Sequence, residues 1–373
     1  MKKIKILQIN KLYYPDIGGI ERTVQHIAES LKDSTDMNVL VCQSKGKGTK
    51  EVINGIPVYR CGSFGTLFSM PISLSFIRKL RKEAKGKDIL QFHAPFPLGD
   101  LACLISGYHG KVVLYWHSDV VKQKKLMVFY NPVMKMFLKR VDAIIVGADG
   151  VMKGSSYLNQ YQNKCVTIPF AVNEEIEKKG KQYLIGASPN YRKFCRFLFV
   201  GRLVYYKGID ILLQAFAMIK NAELTVIGCG NLEGKLRRYV DEQGLSNRIH
   251  FLGKVEENQL YHEFSNCDVF VLPSIARSEA FGLVQLEAMA YGKPVINTNL
   301  PSGVPEVSIH GITGLTVEPG NVCELGDAMQ WFIDHPEERC MMGKEARKRL
   351  ENHYTIEVMS NRLLELYNNL LKV

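Results

Sequence analysis

From Arg277 to Glu287 the chain reads Arg-Ser-Glu-Ala-Phe-Gly-Leu-Val-Gln-Leu-Glu, which sets two carboxylates, Glu279 and Glu287, eight positions apart around a small and apolar run. Just upstream, Asp268-Val-Phe-Val-Leu272 reads as a strand and Pro273-Ser274 as its exit turn. The pair therefore falls where a strand gives way to a helix, the usual ligand position of an open α/β sheet. Eight helical residues rise about 12 Å at roughly 1.5 Å each. Glu279 is expected in the loop or first turn and Glu287 about two turns on, so two acceptors could grip both ends of an extended ligand. Between them the backbone N–H groups of Phe281, Gly282, Leu283 and Val284 lie near a helix N-terminus, which attracts anions. A sugar nucleotide has that layout, with hydroxyls at each end and a diphosphate between. A surface helix carrying two unrelated glutamates has the same spacing and is the plainer alternative.

Other strand exits carry candidates of the same kind. After the first expected strand comes Tyr14-Pro-Asp-Ile-Gly18-Gly19-Ile-Glu21, paired glycines at a turn into a helix, where backbone can approach a phosphate or sugar closely. The turn carries neither Gly-x-Gly-x-x-Gly nor a phosphate-loop lysine motif, and a plain turn would serve equally. Tyr115-Trp-His117-Ser-Asp119 ends another strand; a lone histidine is commonly structural, but Asp119 two residues on favours a site, and no Gly-x-Ser-x-Gly elbow supports a triad. Gly201-Arg202 and Lys207-Gly208 flank a turn feeding a helix, two cations suited to an anion or, alternatively, a solvated pair. Gly228 and the Gly253-Lys-Val255 segment mark two further exits. No Asp-x-Asp pair occurs, His262-Glu263 lacks a second histidine, and no Cys/His cluster has ligand spacing. No metal and no cofactor are expected, so Arg202, Lys207 and helix N-termini would have to balance a departing diphosphate.

The elements that must position these residues alternate β and α. Strands are expected at Ile4–Ile9, Val39–Cys42, Ile56–Arg60, Asp88–Phe92, Lys111–Trp116, Ala143–Val146 and Val166–Ile168, with helices at Ile20–Leu31, Leu98–Ser106 and Leu126–Arg140. A polar stretch from Asn173 to Arg192 reads as an inter-domain connection. A second series follows, with strands at Arg196–Val200, Leu224–Ile227, Ile249–Leu252, Asp268–Leu272, Pro294–Asn297 and Leu315–Val317, then helices at Glu338–Leu350 and Ile356–Leu371. The rhythm, given twice, predicts two doubly wound α/β domains with parallel sheets, facing each other across a cleft lined by their strand exits.

Composition bounds the partners. The 373 residues are 46% hydrophobic and 23% charged, a globular balance with length for two domains. No apolar run is long enough for a bilayer span, and Met1-Lys-Lys leads straight into a strand, an expectation of the cytoplasm. Nine scattered cysteines with no Cys-x-x-Cys pair fit buried thiols. The net charge of +11 is uneven: residues 1–170 hold 25 Lys/Arg against 12 Asp/Glu, and the remainder is slightly acidic. That asymmetry suggests an anionic partner for the first half. Pro71 to Lys85 reads as a basic amphipathic helix with Ile72, Phe76 and Leu80 on one face, ringed by Arg78, Lys79, Arg81 and Lys82; Lys122, Lys124 and Lys125 add charge. It could lie on an anionic membrane, or pack on its own sheet with a solvated basic face.

The ordered set of Gly18-Gly19, His117, Gly201-Arg202 with Lys207, and Glu279-x7-Glu287 resembles the family 4 retaining glycosyltransferases of the GT-B fold, over nearly the whole chain. The resemblance implies two Rossmann-like domains, 1–172 binding the acceptor and 190–354 binding the donor, with the C-terminal helix, 355–373, returning to the first. It implies that Arg202 and Lys207 hold the donor diphosphate, that Glu287 binds the ribose, and that Phe281 to Val284 line sugar and phosphates. Gly18, Gly19, Gly228 and Val255 join the donor set. The catalytic candidates are Glu279, at the donor sugar hydroxyls, and His117, beside the transferred sugar; Asp119 is a candidate for the acceptor. It implies a metal-independent reaction that keeps the α configuration, by front-face attack or a covalent intermediate, and it does not make Glu279 a nucleophile. Tyr115–Asp119 with the lysines after it is similar to mannosyltransferases of bacterial O-antigen and exopolysaccharide synthesis. That implies GDP-mannose as donor, a polyprenyl-diphosphate-linked glycan as acceptor, and a peripheral place on the inner face of the cytoplasmic membrane.

Other readings remain at this point. A UDP-sugar could be the donor. A sugar-nucleotide epimerase or hydrolase could use the same double fold. A basic nucleic-acid-binding protein is a different class, and no recognised reading module supports it.

Overall fold

The computed structural model describes residues 3–16, 18–67, 70–119, 124–186 and 194–372. Two compact units emerge, Met1–Phe170 with Ile356–Val373, and Ala171–Thr355.

In the first unit the order is β1 (Ile4–Ile9), α1 (Gly19–Leu31), β2 (Thr35–Cys42), β3 (Thr49–Ile53), β4 (Ile56–Cys61), β5 (Thr66–Leu67), β6 (Met70–Pro71), α2 (Ser75–Glu83), β7 (Ile89–Ala94), α3 (Pro97–Ile105), β8 (Lys111–Trp116), α4 (Lys124–Arg140), β9 (Ala143–Val146), α5 (Asp149–Gly154) and β10 (Cys165–Thr167). The main sheet runs β10-β9-β8-β7-β1-β2-β4-β3. Inner strands such as β7 and β9 are buried on both faces. Neighbours in β7 show this: Phe92 meets Phe137 of α4 edge-on at 5.2 Å, while Gln91 accepts from the Tyr367 hydroxyl at 2.5 Å.

One edge departs from the expected all-parallel sheet. β3 lies antiparallel to β4. Asn54 and Gly55 between them have φ of 50° and 85°, the two left-handed residues of a tight hairpin. β3 is not among the expected strands because it has no buried face, being exposed along almost its whole length.

The second unit begins with α6 (Glu174–Gly186) and continues β11 (Cys195–Val200), α7 (Ile209–Met218), β12 (Ala222–Ile227), α8 (Glu233–Glu242), β13 (Ile249–Gly253), α9 (Glu257–Asn266), β14 (Val269–Val271), α10 (Val284–Ala290), β15 (Val295–Thr298), α11 (Val304–Val307), β16 (Gly314–Val317), α12 (Val322–Asp334) and α13 (Pro336–His353). Its six parallel strands run β13-β12-β11-β14-β15-β16, so strand order reverses between β11 and β14. Phe197, Phe199, Val269 and Val271 pack with Leu212, Leu213 and Phe216 of α7. The alternate residue Phe270 packs against Phe264 of α9, on the opposite face.

Two expectations are corrected here. The described part of the expected connection, 173–192, is largely the helix α6, which belongs to the second unit: Arg347 of α13 donates to Glu177 O and Ala290 O, tying α6, α10 and α13 together. The helix holding Glu287 begins only at Val284, so Glu287 stands in its first turn rather than two turns along.

The last helix, α14 (Ile356–Leu371), returns to the first unit as expected. It lies against α1, where Ser360 donates to Ser30 at 2.8 Å, and closes over β7 through Tyr367.

Candidate active site

In the second unit the candidates gather at the reversal of strand order, between the exits of β11 and β14. A crevice at that point is where open α/β sheets take ligands. Lys207 ends a short 3-10 turn, Tyr205–Lys207, and Gly208 caps the α7 helix that follows. Its ammonium lies 2.5 Å from Glu279, with both side chains 12% exposed. Ser274 donates to the same carboxylate at 3.3 Å. Arg202 donates to the Tyr206 hydroxyl at 2.8 Å. The structure thus joins Lys207 to Glu279 and sets Arg202 beside them through the Tyr205–Lys207 turn. Of the two expected cations, Lys207 is paired with a carboxylate of its own fold.

The loop after β14 is held from several sides. Ile275 N–H bonds to Tyr206 O at 2.9 Å, Gly303 N–H to Ala280 O at 2.7 Å, and Thr298 Oγ1 to Ser274 O at 2.6 Å. Gln285, fully buried, donates to Phe281 O and accepts from Asn297 Nδ2 at 2.9 Å. Phe281 is buried and turns its ring against Tyr354, 6.1 Å between centroids. Among the described residues no acceptor is found for the N–H groups of Gly282, Leu283 and Val284. Glu287 is half-buried on α10.

Gly228 lies at the β12 exit with φ of 126°, and a Cβ there would meet Gly201 O at 2.0 Å. Only glycine lets those two loops close so tightly. Gly228 N–H also reaches Gly253 O at 2.8 Å, which links the β13 exit. Val255 follows in that loop, half-buried.

In the first unit strand order reverses between β1 and β7. His117 leaves the end of β8 and places Nε2 2.9 Å from His93 Nδ1; His93 Nε2 lies 2.6 Å from Gln8 Oε1. His117 stacks on Tyr115 at 4.8 Å and Phe170 at 5.3 Å, nearly parallel to both. Burial, and then the positive charge of Lys11, push the His117 imidazole down to about 3, and burial followed by His117 lowers His93 well below its ordinary value. Both rings are therefore neutral near pH 7.

Asp119 accepts from Trp116 Nε1 at 3.0 Å and Ser155 Oγ at 2.7 Å, so it ties β8 to the end of α5. Gly18 caps α1 and Gly19 is its first residue. The preceding loop is gripped by buried Arg60, which donates to Tyr13 O and Tyr14 O and pairs with Glu51.

The expected basic helix is shorter than predicted, and its apolar positions Phe76 and Leu80 are fully buried in the fold. Ile72 precedes it. Exposed apolar residues instead lie just upstream, at Phe64, Leu67, Ile72 and Leu74. Phe64 and Leu74 line a recess of about 510 Å³ together with Lys45 and Lys47. Lys79 is engaged with Glu83 and the Tyr59 ring. Lys122 and the side chains of Lys124 and Lys125 lie outside the described residues.

Sequence reasoning missed His93, Gln8, Tyr206, Ser274 and Gln285. Two of these had a readable signal. His93 sits one residue past an expected strand, the position that singled out His117, and Gln8 is a lone amide in an apolar strand. Among the described residues no group of three or more His, Cys, Asp or Glu side chains is placed to hold a metal ion, and no helix is long and apolar enough to cross a membrane.

Residues 184–349 match the family model described as glycosyl transferases group 1, and residues 17–175 match that of glycosyltransferase family 4. The chain is 31% identical to O-antigen chain mannosyltransferase C of Escherichia coli, covering 99% of each. It is 32% identical to the D-rhamnosyltransferase WbpZ of Pseudomonas aeruginosa, covering 94% of this chain and 92% of that one. Sucrose-phosphate synthase from Thermosynechococcus elongatus superposes with a TM-score of 0.75 over 99% of both chains at 21% identity, a likeness of fold.

Proposed function

The chain is a hexosyltransferase belonging to glycosyltransferase family 4, with the GT-B fold, and on that premise we propose that it transfers mannose from GDP-mannose, with retention of the α configuration, to a polyprenyl-diphosphate-linked glycan of a bacterial surface polysaccharide. The observation that carries the site is the Lys207–Glu279 pair beside Arg202, at the strand-order reversal of the second unit. Likeness to O-antigen chain mannosyltransferase C of Escherichia coli supports the sugar and the pathway.

Arg202 and Lys207 take the donor diphosphate, with the N–H groups of Gly282, Leu283 and Val284 behind them. As the diphosphate leaves, fixed cations and backbone dipoles stabilise its charge without reorganising. The reaction needs no metal under this assignment. Glu279, given up by Lys207, accepts from a donor sugar hydroxyl, and Glu287 takes the ribose. Gly228 and Val255 shape the nucleotide side, Gly18 and Gly19 approach the phosphates, and His117 meets the transferred sugar. Asp119 holds the β8 exit in shape near the acceptor. An anionic membrane surface is met by the first unit, through Lys45, Lys47, Phe64 and Leu74.

A thermal-shift panel of GDP-, UDP-, ADP- and dTDP-sugars tests the donor. A ligand at 100 times its Kd adds about 2.7 kcal/mol to stability. GDP-mannose is expected to raise Tm by several degrees. Stabilisation by a UDP-sugar alone reassigns the donor, and no shift from any of them removes the donor-site assignment.

A further inference from the structure

We propose that His93, with Gln8 behind it, is a positioning residue that decides which ring nitrogen His117 offers to the sugar. The inference rests on the assignment of His117 to the transferred sugar.

The direction of the chain follows from what each atom can do. An amide oxygen only accepts, so Gln8 Oε1, 2.6 Å from His93 Nε2, requires a proton on that nitrogen. A neutral imidazole carries one N–H, which makes His93 Nδ1 the acceptor. His117 Nε2 lies 2.9 Å away and must then be the donor. His117 is left with a bare lone pair on Nδ1, for which no partner is found among the described residues. It can accept from a sugar hydroxyl and cannot donate to one.

The three groups come from β1, β7 and the exit of β8, consecutive neighbours in the sheet, so strand register fixes their spacing. Tyr115 is fully buried, donates to Ile168 O at 2.8 Å, and stacks on both histidines. Each ring is therefore held in plane as well as in hydrogen bonding. Gln8 is fully buried in an apolar strand, and the side-chain partner found for it among the described residues is His93.

The test reads the tautomer directly. In protein labelled with ¹⁵N-histidine, with His117 assigned by its loss in His117→Asn, the expected spectrum has a protonated Nε2 and a bare Nδ1. His93→Phe keeps a ring and removes the acceptor; it is expected to mix the two His117 tautomers and to lower GDP-mannose turnover about 10- to 100-fold, the scale set by metal-bound histidines that lose their orienting partner, with little change in KM. His93→Asn places an amide oxygen where Nδ1 was and is expected to restore both the tautomer and most of the turnover. If His93→Phe does not fold, Gln8→Met asks the same question, since His93 then loses its fixed proton. A wild-type spectrum with the proton on His117 Nδ1, or an unchanged His117 signal in His93→Phe or Gln8→Met, overturns the proposal. The spectrum needs no donor. Absence of GDP-mannose turnover in the wild type would count against the donor and leave the relay to be decided by the tautomer alone.

Discussion

Lys207 Nζ lies 2.5 Å from a carboxylate oxygen of Glu279, and the two side chains are nearly buried together. The cation nominated for a phosphate is thus occupied by an anion from its own fold. On the proposed assignment, the Lys207 ammonium exchanges that carboxylate for a phosphate oxygen when the diphosphate binds, and Glu279 is freed for a sugar hydroxyl, so that binding and the arming of the sugar contact are one event.

Glu279→Gln separates the two. It removes the competing charge from Lys207, so GDP without a sugar is expected to bind roughly tenfold tighter, about 1.4 kcal/mol. Turnover of GDP-mannose is expected to fall about 100-fold, because the charged acceptor is gone. Calorimetric titration with GDP checks the first half; weaker binding in the variant would contradict the exchange.

Lys207→Ala strands the Glu279 carboxylate with Ser274 as its remaining described partner. The ligand-free protein is expected to lose about 1–3 kcal/mol, the scale for a buried group left unserved. Adding Glu279→Gln to Lys207→Ala should recover most of it. A double-mutant cycle in urea measures the coupling, and additive losses would show that the pair is not mutually stabilising.

Acid should weaken the fold through His93 and His117. Their folded values lie far below the unfolded value of about 6.5, so from there downward the unfolded chain binds protons that the folded chain refuses. Stability is lost as pH falls through about 6.5, for His117 at up to about 1.4 kcal/mol per pH unit until about 3, with His93 acting in the same direction. Asp100 works the other way: burial, opposed by the Tyr130 hydrogen bond, holds its carboxyl up at about 7 against an ordinary 3.8. Between those values the folded chain takes the proton first and gains stability as pH falls. Urea midpoints from pH 7 to 5 should therefore decline, less steeply in His117→Asn and more steeply in Asp100→Asn. Identical slopes in all three proteins would refute the assignment.

Gly18→Ala is expected to disturb the start of α1. A Cβ there would come within 2.2 Å of Glu21 Oε2, and Glu21 is itself buried. The atom met is the far end of a long side chain that can swing aside, so the expected cost is at the low end of overpacking, about 1 kcal/mol. Pairing it with Glu21→Ala should remove the clash, and denaturation midpoints of the single and double variants report whether it does.

Vesicle binding and core packing can be told apart around α2. Lys45→Glu with Leu74→Glu should abolish sedimentation with anionic vesicles at low salt while leaving Tm unchanged, since both side chains line the recess and are exposed. Leu80→Ala should do the reverse, costing about 2–5 kcal/mol because Leu80 is fully buried. Unimpaired vesicle binding by the charge-reversed variant would remove the recess from the membrane contact.

Much of the fold was legible because buried parallel strands announce themselves as short apolar runs. Lys111–Trp116 and Ala143–Val146 end where the runs end. The edge strand β3 and the helix α6 were not legible, since both are largely polar and owe their form to neighbours: a left-handed Asn54-Gly55 turn in one case, contacts with α10 and α13 in the other. At the site, residue types and strand exits were enough to pick out Lys207, Glu279 and His117. That Lys207 and Glu279 neutralise each other, and that His117 is held by His93, depends on distances across the sheet between residues tens of positions apart, which no local pattern encodes.

The return of α14 gives the chain an unusual order of completion. Every strand of the first unit precedes the second unit, yet Gln91 of β7 and Ser30 of α1 wait for Tyr367 and Ser360, which are synthesised after every strand of the second unit. Domains commonly fold as they emerge from the ribosome, the earlier before the later. Here that sequence is inverted at its last step. A nascent chain paused after Thr355 holds all of the second unit, while β7 and α1 of the first still lack the contacts that α14 brings them.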